Sequence, residues 1–457
     1  MRARVCVLII SWVLGILAGV FQVVPMLVGA CALLMLAIAY HMRLRTQFFI
    51  AVIFLVYFGY LYGVSVVTIR ANHCQGEISS TATLVRVSAL SSTQSQYVFK
   101  RNDGCSIMVS TTRFPVFVRG TLARISGSQA IASVFYQDDG IDLVVKNANV
   151  EVLHQGGSLT DKLRNASIAQ LLRLLPEQDS SIAIAMLLGD RGGVTSQVQD
   201  VFRMSGISHI LAISGLHVSI LIGLLVFVMR YIPWPLFVRT MITISVLWIY
   251  IASIGMPLSA IRAGAFWSLY MLAYRARALV GLPTVLIVSL ALFTTIYPRI
   301  LLSPGFQLSV CAVFGIFIAL KIFKISRHPI FTLFLSSLGA TIGTIPLILY
   351  YFNGLSVFGV FVNMVILPVI PALLLSILLA LIASPIFYPF ALLMAYISHM
   401  LFSWIFLVVN SVQYVPYSYI DHIHIAGWVV FAYYACVSGI ILYIMHKRRI
   451  AFRELWI

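Results

Sequence analysis

"SHILAISGLHVSIL", residues 208–221, places two histidines and three serines in a run otherwise as apolar as a membrane span. Ser208, His209, Ser214, His217 and Ser219 are those residues. Upstream the chain is charged and reads as water-exposed. Downstream, apolar runs of about 20 residues recur, each long enough to cross a bilayer as a helix. The stretch therefore marks where an exposed region gives way to membrane, and its polar groups need a partner or water there.

Of the 457 residues, 61% are hydrophobic and 9% charged, which excludes an ordinary soluble domain with roughly a quarter charged. Twelve apolar runs are expected as spans: 5–24, 26–41, 48–69, 209–229, 240–256, 260–274, 280–297, 306–322, 329–351, 356–383, 386–409 and 426–446. The first, preceded by Arg2 and Arg4, reads as a retained helix rather than a cleaved signal. The short runs 240–256 and 260–274, joined by "GMPLS", leave a re-entrant or broken hairpin open. With the N-terminus inside, cytoplasmic segments hold Arg2, Arg4, Arg43, Arg45, Arg230, Arg239, Arg275, Arg277, Lys321, Lys324, Arg327, Lys447, Arg448, Arg449 and Arg453, and the short outer loops only Arg299. Fifteen against one is the positive-inside bias, and it explains most of the net charge of +17 without any ligand. Both termini are then cytoplasmic, and 70–208 lies outside.

That exterior region is nearly neutral: 11 of the 13 acidic residues fall there, beside 13 basic ones. From about residue 77 to 152, alternating segments such as "TATLVRV", "QYVFKR" and "CSIMVS" predict about five short strands in a small β-barrel or sandwich. From 158 the period becomes helical, with Pro176 ending one helix, a second reaching "GDRGG" at 189–193, and a third ending at Gly206. Ser208 is expected to cap the fourth span. The expected parts are a three-span segment at 1–69, a β-domain at 70–157, a helical collar at 158–207 and a membrane domain at 208–457. Cys74 and Cys105 are the exterior region's only cysteines and its one possible internal disulfide in an oxidising compartment.

"LLGDRGGVTSQVQDVFRMSGISHILAISGLHVSIL", "PLSAIRAG" (257–264), "SPGFQLSVCAVFG" (303–315) and "YYFNGLSVFGVFVNMVILPVI" (350–370) stand in that order. Together they resemble the signature segments of the ComEC family of competence proteins, the inner-membrane route for DNA in natural transformation. The resemblance covers most of 70–385. It implies a polytopic α-helical membrane protein with an OB-like β-barrel outside the membrane, between the third and fourth spans. It also implies a channel for single-stranded DNA in a bacterial inner membrane, with a DNA-delivering competence protein outside and a motor or single-strand-binding protein within. The metallo-β-lactamase-like domain that many members carry is not expected here, because its His-x-His-x-Asp-His motif does not occur. No P-loop is present, so energy is expected from a partner, and no cofactor is expected.

Within this frame His209, Ser214, His217, Arg262, Gln307, Asn353 and Asn363 are the candidate DNA-pathway residues, with His399 a further polar recurrence. Arg262 is the one cation inside an expected span rather than at its edge, and either a pathway role or snorkelling to the outer surface accounts for it. On one helix His209 and His217 would sit about 80° apart, so the pair alone makes no metal site. Ser214 and His217, at i and i+3, can approach like nucleophile and base, which keeps an intramembrane hydrolase as an alternative. A small-solute transporter is the other, although no internal repeat supports it. Asp190 and Arg191 read as a tight turn that pairs locally, or as a hinge at the mouth. In "DHIH" (421–424) two histidines and one aspartate are too few for a metal site. Arg86, Lys100, Arg101 and Arg124 are the candidate DNA contacts of the β-domain, whose aromatics Tyr97 and Phe99 suit either base stacking or a barrel core. "GILAG" (15–19) and "GATIG" (339–343) allow close helix contact within the chain or in a homo-oligomer.

Overall fold

The computed structural model describes Gly59 and residues 80–90, 95–101, 106–111, 121–131, 143–155, 159–276, 281–296, 300–301, 303–323 and 329–447. The expected spans 5–24, 26–41 and 48–69 (Gly59 apart), "GILAG", Cys74 and Cys105 lie outside the described residues. The chain divides into two compact units: Met1–Glu77, Gly264–Gln307 and Tyr443–Ile457 in one, Ile78–Ala263 and Leu308–Leu442 in the other.

In the second unit the alternating segments form β1 (Ser80–Leu90), β2 (Ser95–Arg101), β3 (Ser106–Thr111), β4 (Thr121–Ile131) and β5 (Leu143–Gln155). They close into a barrel of order β1-β2-β3-β5-β4, with β4 returning to β1. Only β3 and β5 run parallel. The period of two explains the closure: Ala82 and Leu84, Tyr97 and Phe99, Ile107 and Val109, and Ile125 turn into one core. Tyr97 and Phe99 are therefore core residues, which decides between their two readings.

Three short helices follow: α1 (Leu159–Leu174), α2 (Glu177–Leu188) and α3 (Ser196–Met204). Pro176 separates the first two, and the Thr195 hydroxyl accepts the Val198 amide at the start of α3. From residue 215 onward the described parts of the apolar runs fall mainly on helices: α4 (Gly215–Arg230), α5 (Leu236–Ser253), α6 (Leu258–Arg275), α7 (Leu282–Ile296), α8 (Pro304–Ile322), α9 (Pro329–Phe352), α10 (Gly359–Ile366), α11 (Ile370–Ala383), α12 (Tyr388–Gln413) and α13 (Gly427–Lys447). Among the described residues, α5, α8, α9 and α12 are long and apolar enough to cross a membrane, and the bent pair α10 and α11 is a broken span or a re-entrant loop.

Two expectations are corrected. The run 356–383 is two helices bent by 46°, because Pro368 in the break has no amide to continue the ladder. The run at 209–229 is not one helix capped by Ser208: a 3₁₀ turn at Ser208–Leu211 gives way to extended backbone at Ala212 and Ser214, and Ser214 caps α4. By contrast, α5 and α6 are each 18 residues long, joined by a turn in which Gly255 and Met256 take positive φ.

Helix packing uses small residues and hydroxyls, as expected where lipid removes the hydrophobic drive. A Cβ on Gly339 or Gly343 of "GATIG" would strike the α8 backbone at Gly315 or Cys311, so this glycine pair serves contact within the chain. The Ser376 and Ser398 hydroxyls join α11 to α12 at 2.8 Å, and Ser337 Oγ donates to the Val360 carbonyl at 3.1 Å. Pro346 inside α9 cannot bond the Ile342 carbonyl four residues back. Tyr433 of α13 fills that gap, its hydroxyl donating to Ile342 O at 2.9 Å, while Tyr434 donates to Gly343 O at 2.8 Å.

Candidate functional site

The turn "GDRGG" and the interrupted segment 208–215 are built against each other. Gly189 ends α2 with φ +72°, a conformation that suits glycine, and a Cβ there would lie 2.9 Å from Ile213 Cδ1. Asp190 Oδ1 accepts the Gly192 amide at 3.0 Å, and its Oδ2 pairs at 2.9 Å with the buried Arg164 guanidinium of α1. Arg191 Nε donates to the Leu211 carbonyl at 3.1 Å. These partners lie 26 and 20 residues away, so the turn ties two distant segments together instead of merely pairing locally.

Breaking a helix leaves backbone groups that a membrane cannot satisfy. Here side chains take them up. Ser259 Oγ of α6 donates to the Ile213 carbonyl at 2.7 Å, Arg191 holds Leu211 O, and the Ser214 amide donates to His217 Nδ1 at 3.0 Å. Tyr250 of α5 secures the end of α2 by donating to Leu187 O at 2.7 Å.

His217 thus has its Nδ1 lone pair committed, which puts its proton on Nε2. Ser214 Oγ lies 2.9 Å from the same nitrogen, as the i, i+3 spacing suggests. His217 is only 5% exposed, and Nε2 is buried without a partner among the described residues. An imidazole whose Nδ1 already accepts a backbone amide, with no carboxylate on Nε2, is arranged as a helix cap more than as a general base. Ser208, His209, Gly215 and Leu216 are the exposed residues of this segment.

Arg262 is half-buried, one turn along α6 from Ser259, and Ala263 is the nearest contact a Cβ on Gly215 would make, at 3.8 Å. The first turns of α6 therefore lie against the start of α4. His209, Ser214, His217, Asp190 and Arg191 gather at this interruption, with Arg262 on the adjoining turn of α6.

The other candidates lie elsewhere. Asn353 ends α9 at φ +53°, its Oδ1 is 3.1 Å from His424 Nδ1, and its carbonyl accepts the Ile423 amide. This joins β6 (Leu355–Ser356) and β7 (Tyr419–Ile420), which pair antiparallel beside it. His424 is thereby turned to Asn353, and among the described residues no three His, Cys, Asp or Glu side chains form a group able to hold a metal ion. Asn363 Oδ1 is buried in α10 with no partner among the described residues. Gln307 Nε2 donates to Leu301 O at 2.9 Å, closing the turn before α8. In the barrel, Lys100, Arg101 and Arg124 register against Thr83, Ala82 and Thr81 of β1, and Arg86 against Val98.

One pair escapes a reading from sequence. Asp179 in the first turn of α2 meets His399 Nδ1 of α12 at 2.6 Å. Burial raises its carboxyl above the ordinary 3.8, with the His399 hydrogen bond and charge opposing. Asp179 is an acid in the first turn of a helix, and no local spacing links it to a residue 220 positions on.

A family model described as "Competence protein" matches residues 186–447, from the end of α2 through α13. The chain belongs to the competence protein family. Within the matched region lie all the residues named above around the interrupted segment except Arg164; the barrel precedes it. ComE operon protein 3 of Bacillus subtilis (strain 168) is 30% identical over 206 residues, 45% of this chain and 26% of that protein. Recombination protein 2 of Haemophilus influenzae (strain ATCC 51907 / DSM 11121 / KW20 / Rd) is 27% identical over 222 residues, 43% of this chain and 28% of that protein. The chain thus matches little more than a quarter of either relative's length. No solved structure matches it.

Proposed function

We propose that this competence-family chain is an inner-membrane channel that passes single-stranded DNA into the cytoplasm during natural transformation. The observation that carries the reading is the interrupted helix at 208–215 inside the family-matched region. Irregular backbone at membrane depth is tolerated where it is buried in protein or borders a water-filled cavity. Arg191, Ser259 and His217 hold that backbone, and His209, Ser214 and Arg262 are the groups on this reading that meet the strand. Asn353 and Asn363 extend the polar path, and Asp190 and Arg191 brace its mouth. A few cations with neutral donors let a phosphate chain move on, where a dense basic ring would hold it.

The barrel's strand order supports an OB-like exterior domain, with Arg86, Lys100, Arg101 and Arg124 as its contacts to DNA. The charge bias supports twelve spans with both ends cytoplasmic. A delivering protein outside and a motor or single-strand-binding protein inside complete the route. The chain acts as a conduit and not as an enzyme on this reading. The 2.9 Å approach of Ser214 and His217 is the observation favouring an intramembrane hydrolase instead. Transformation frequency decides between them, with electroporated DNA as the control. Deleting the gene is expected to abolish transformation and spare electroporation. Ser214→Ala is expected to retain a substantial fraction, whereas a hydrolase would lose all of it. Unimpaired transformation in the deletion strain would refute the channel.

A further inference from the structure

The helix α2 is enclosed on every side: from Asp179 to Leu188 each residue but Ser181 is buried. A helix of that kind belongs in an interior, whereas a helix of an outer collar would keep one face for water. It forms a hairpin with α1, open at the 2.9 Å pair of Arg164 and Asp190 and closed at Pro176. Besides α2, α1 packs on α5, α11 and α12. On the topology above, α5 and α12 end, and α10 begins, at the outer side. Three contacts mark that level: Tyr250 with Leu187 O, Ser205 Oγ with Val409 O, and Gly206 with Gly359. The closed end of the hairpin lies deeper, where Asp179 meets His399. His399 is ten residues before Val409, about 15 Å along α12, and Asp179 is eight before Leu187, about 12 Å along α2. The helix α11, which α1 touches, starts eleven residues after Gly359, about 16 Å on. These depths agree, and each is close to half of a hydrocarbon core ~30 Å thick.

Resting on that topology and on the channel reading, we propose that residues 159–188 are a re-entrant hairpin, inserted from the outer side to mid-depth, with one face of α1 bordering the strand's path. That face is the one the neighbouring helices leave open. At ~100° per residue, Lys162, Ala166, Ala169 and Arg173 fall within an arc of about 60°, and all four are exposed. Arg164, on the opposite side, is buried. Around the tip Glu177 and Gln178 are exposed as well. A charge at mid-depth is costly unless it meets a partner or water, so exposed Arg173 and Glu177 put water, not lipid, beside the tip. The ligand is the phosphodiester chain of a single strand, recognised by charge. Lys162 near the entrance and Arg173 about 16 Å deeper complement a polyanion. The alanines between them add no hold, and Glu177 opposes tight binding at the tip, so the chain can move on.

The test uses the full-length chain in competent cells, carrying Lys162→Cys or Arg173→Cys, with labelling read above that of the parent chain. Two membrane-impermeant thiol reagents are added outside: a small charged methanethiosulfonate and a polymer-bearing maleimide too wide for a channel. Both are expected to modify position 162. Only the small one is expected to reach 173, and a DNA strand stalled in transit is expected to slow that reaction severalfold. Modification of 173 by both reagents would put the hairpin outside the membrane, and modification by neither would close its face to water; each overturns the proposal. At matched protein levels, Lys162→Gln with Arg173→Gln is expected to lower DNA uptake severalfold, and Lys162→Arg with Arg173→Lys to retain it. Unchanged uptake in the glutamine variant would take the strand off this face. If the gene deletion blocks uptake while these results go against the hairpin, the channel stands without it. If the deletion takes up DNA normally, the channel reading and the strand's path fall together, and size-selective labelling of 173 still places the hairpin.

Discussion

Ser259 shows how much of the interrupted segment depends on single hydrogen bonds. Its hydroxyl is the partner of a carbonyl that no helix satisfies, so Ser259→Ala is expected to cost about 1–3 kcal/mol, and Ser259→Thr much less. Thermal unfolding in detergent measures both, and equal melting of the alanine variant and wild type would remove Ser259 from the account. The Ser214–His217 approach was legible from spacing, and rarity singled out Arg262 as a candidate. Ser259 was not, since a serine on an apolar helix is common and only its distance from Ile213 marks it out. Asp179 makes a second prediction. Because burial raises its carboxyl, the folded chain binds that proton more tightly than the unfolded chain does. The group's contribution is then full in acid, below the ordinary 3.8, and is lost as pH rises through the raised value. Asp179→Asn is expected to flatten stability against pH in that window; an unchanged slope would show that the carboxyl does not titrate there.

Among the elements, α9 and α13 are joined through a defect. Pro346 frees Ile342 O and Tyr433 takes it, so Tyr433→Phe is expected to destabilise by about 1 kcal/mol. Pro346→Ala restores the missing amide and is expected to remove most of that penalty in the double variant. Additive losses in this cycle would mean the two are not coupled. The helices themselves were readable, because apolar runs of this length have few other fates. Their interruptions were not: the "GMPLS" junction looked breakable and joins two whole helices, while the run containing "AISGLH" looked continuous and breaks. Apolar periodicity cannot register that Ser214 and His217 satisfy a new helix start from within, or that Arg191 and Ser259 reward the break from other segments.

For the whole molecule, family membership rests on four ordered motifs that sequence displays directly, and on a match that covers 186–447. The five strands were readable from their period of two, which left a barrel or a sandwich open; closure and strand order depend on pairing between distant strands. The central claim is that the strand passes the interrupted helix where Arg262 stands. The most direct measurement is the location of labelled transforming DNA in competent cells carrying wild type, a deletion or Arg262→Ala at equal protein levels. The account predicts that the deletion leaves DNA outside the cytoplasm and that Arg262→Ala slows its arrival at least severalfold. Normal cytoplasmic arrival in Arg262→Ala cells, with the deletion still blocked, would contradict the path drawn here.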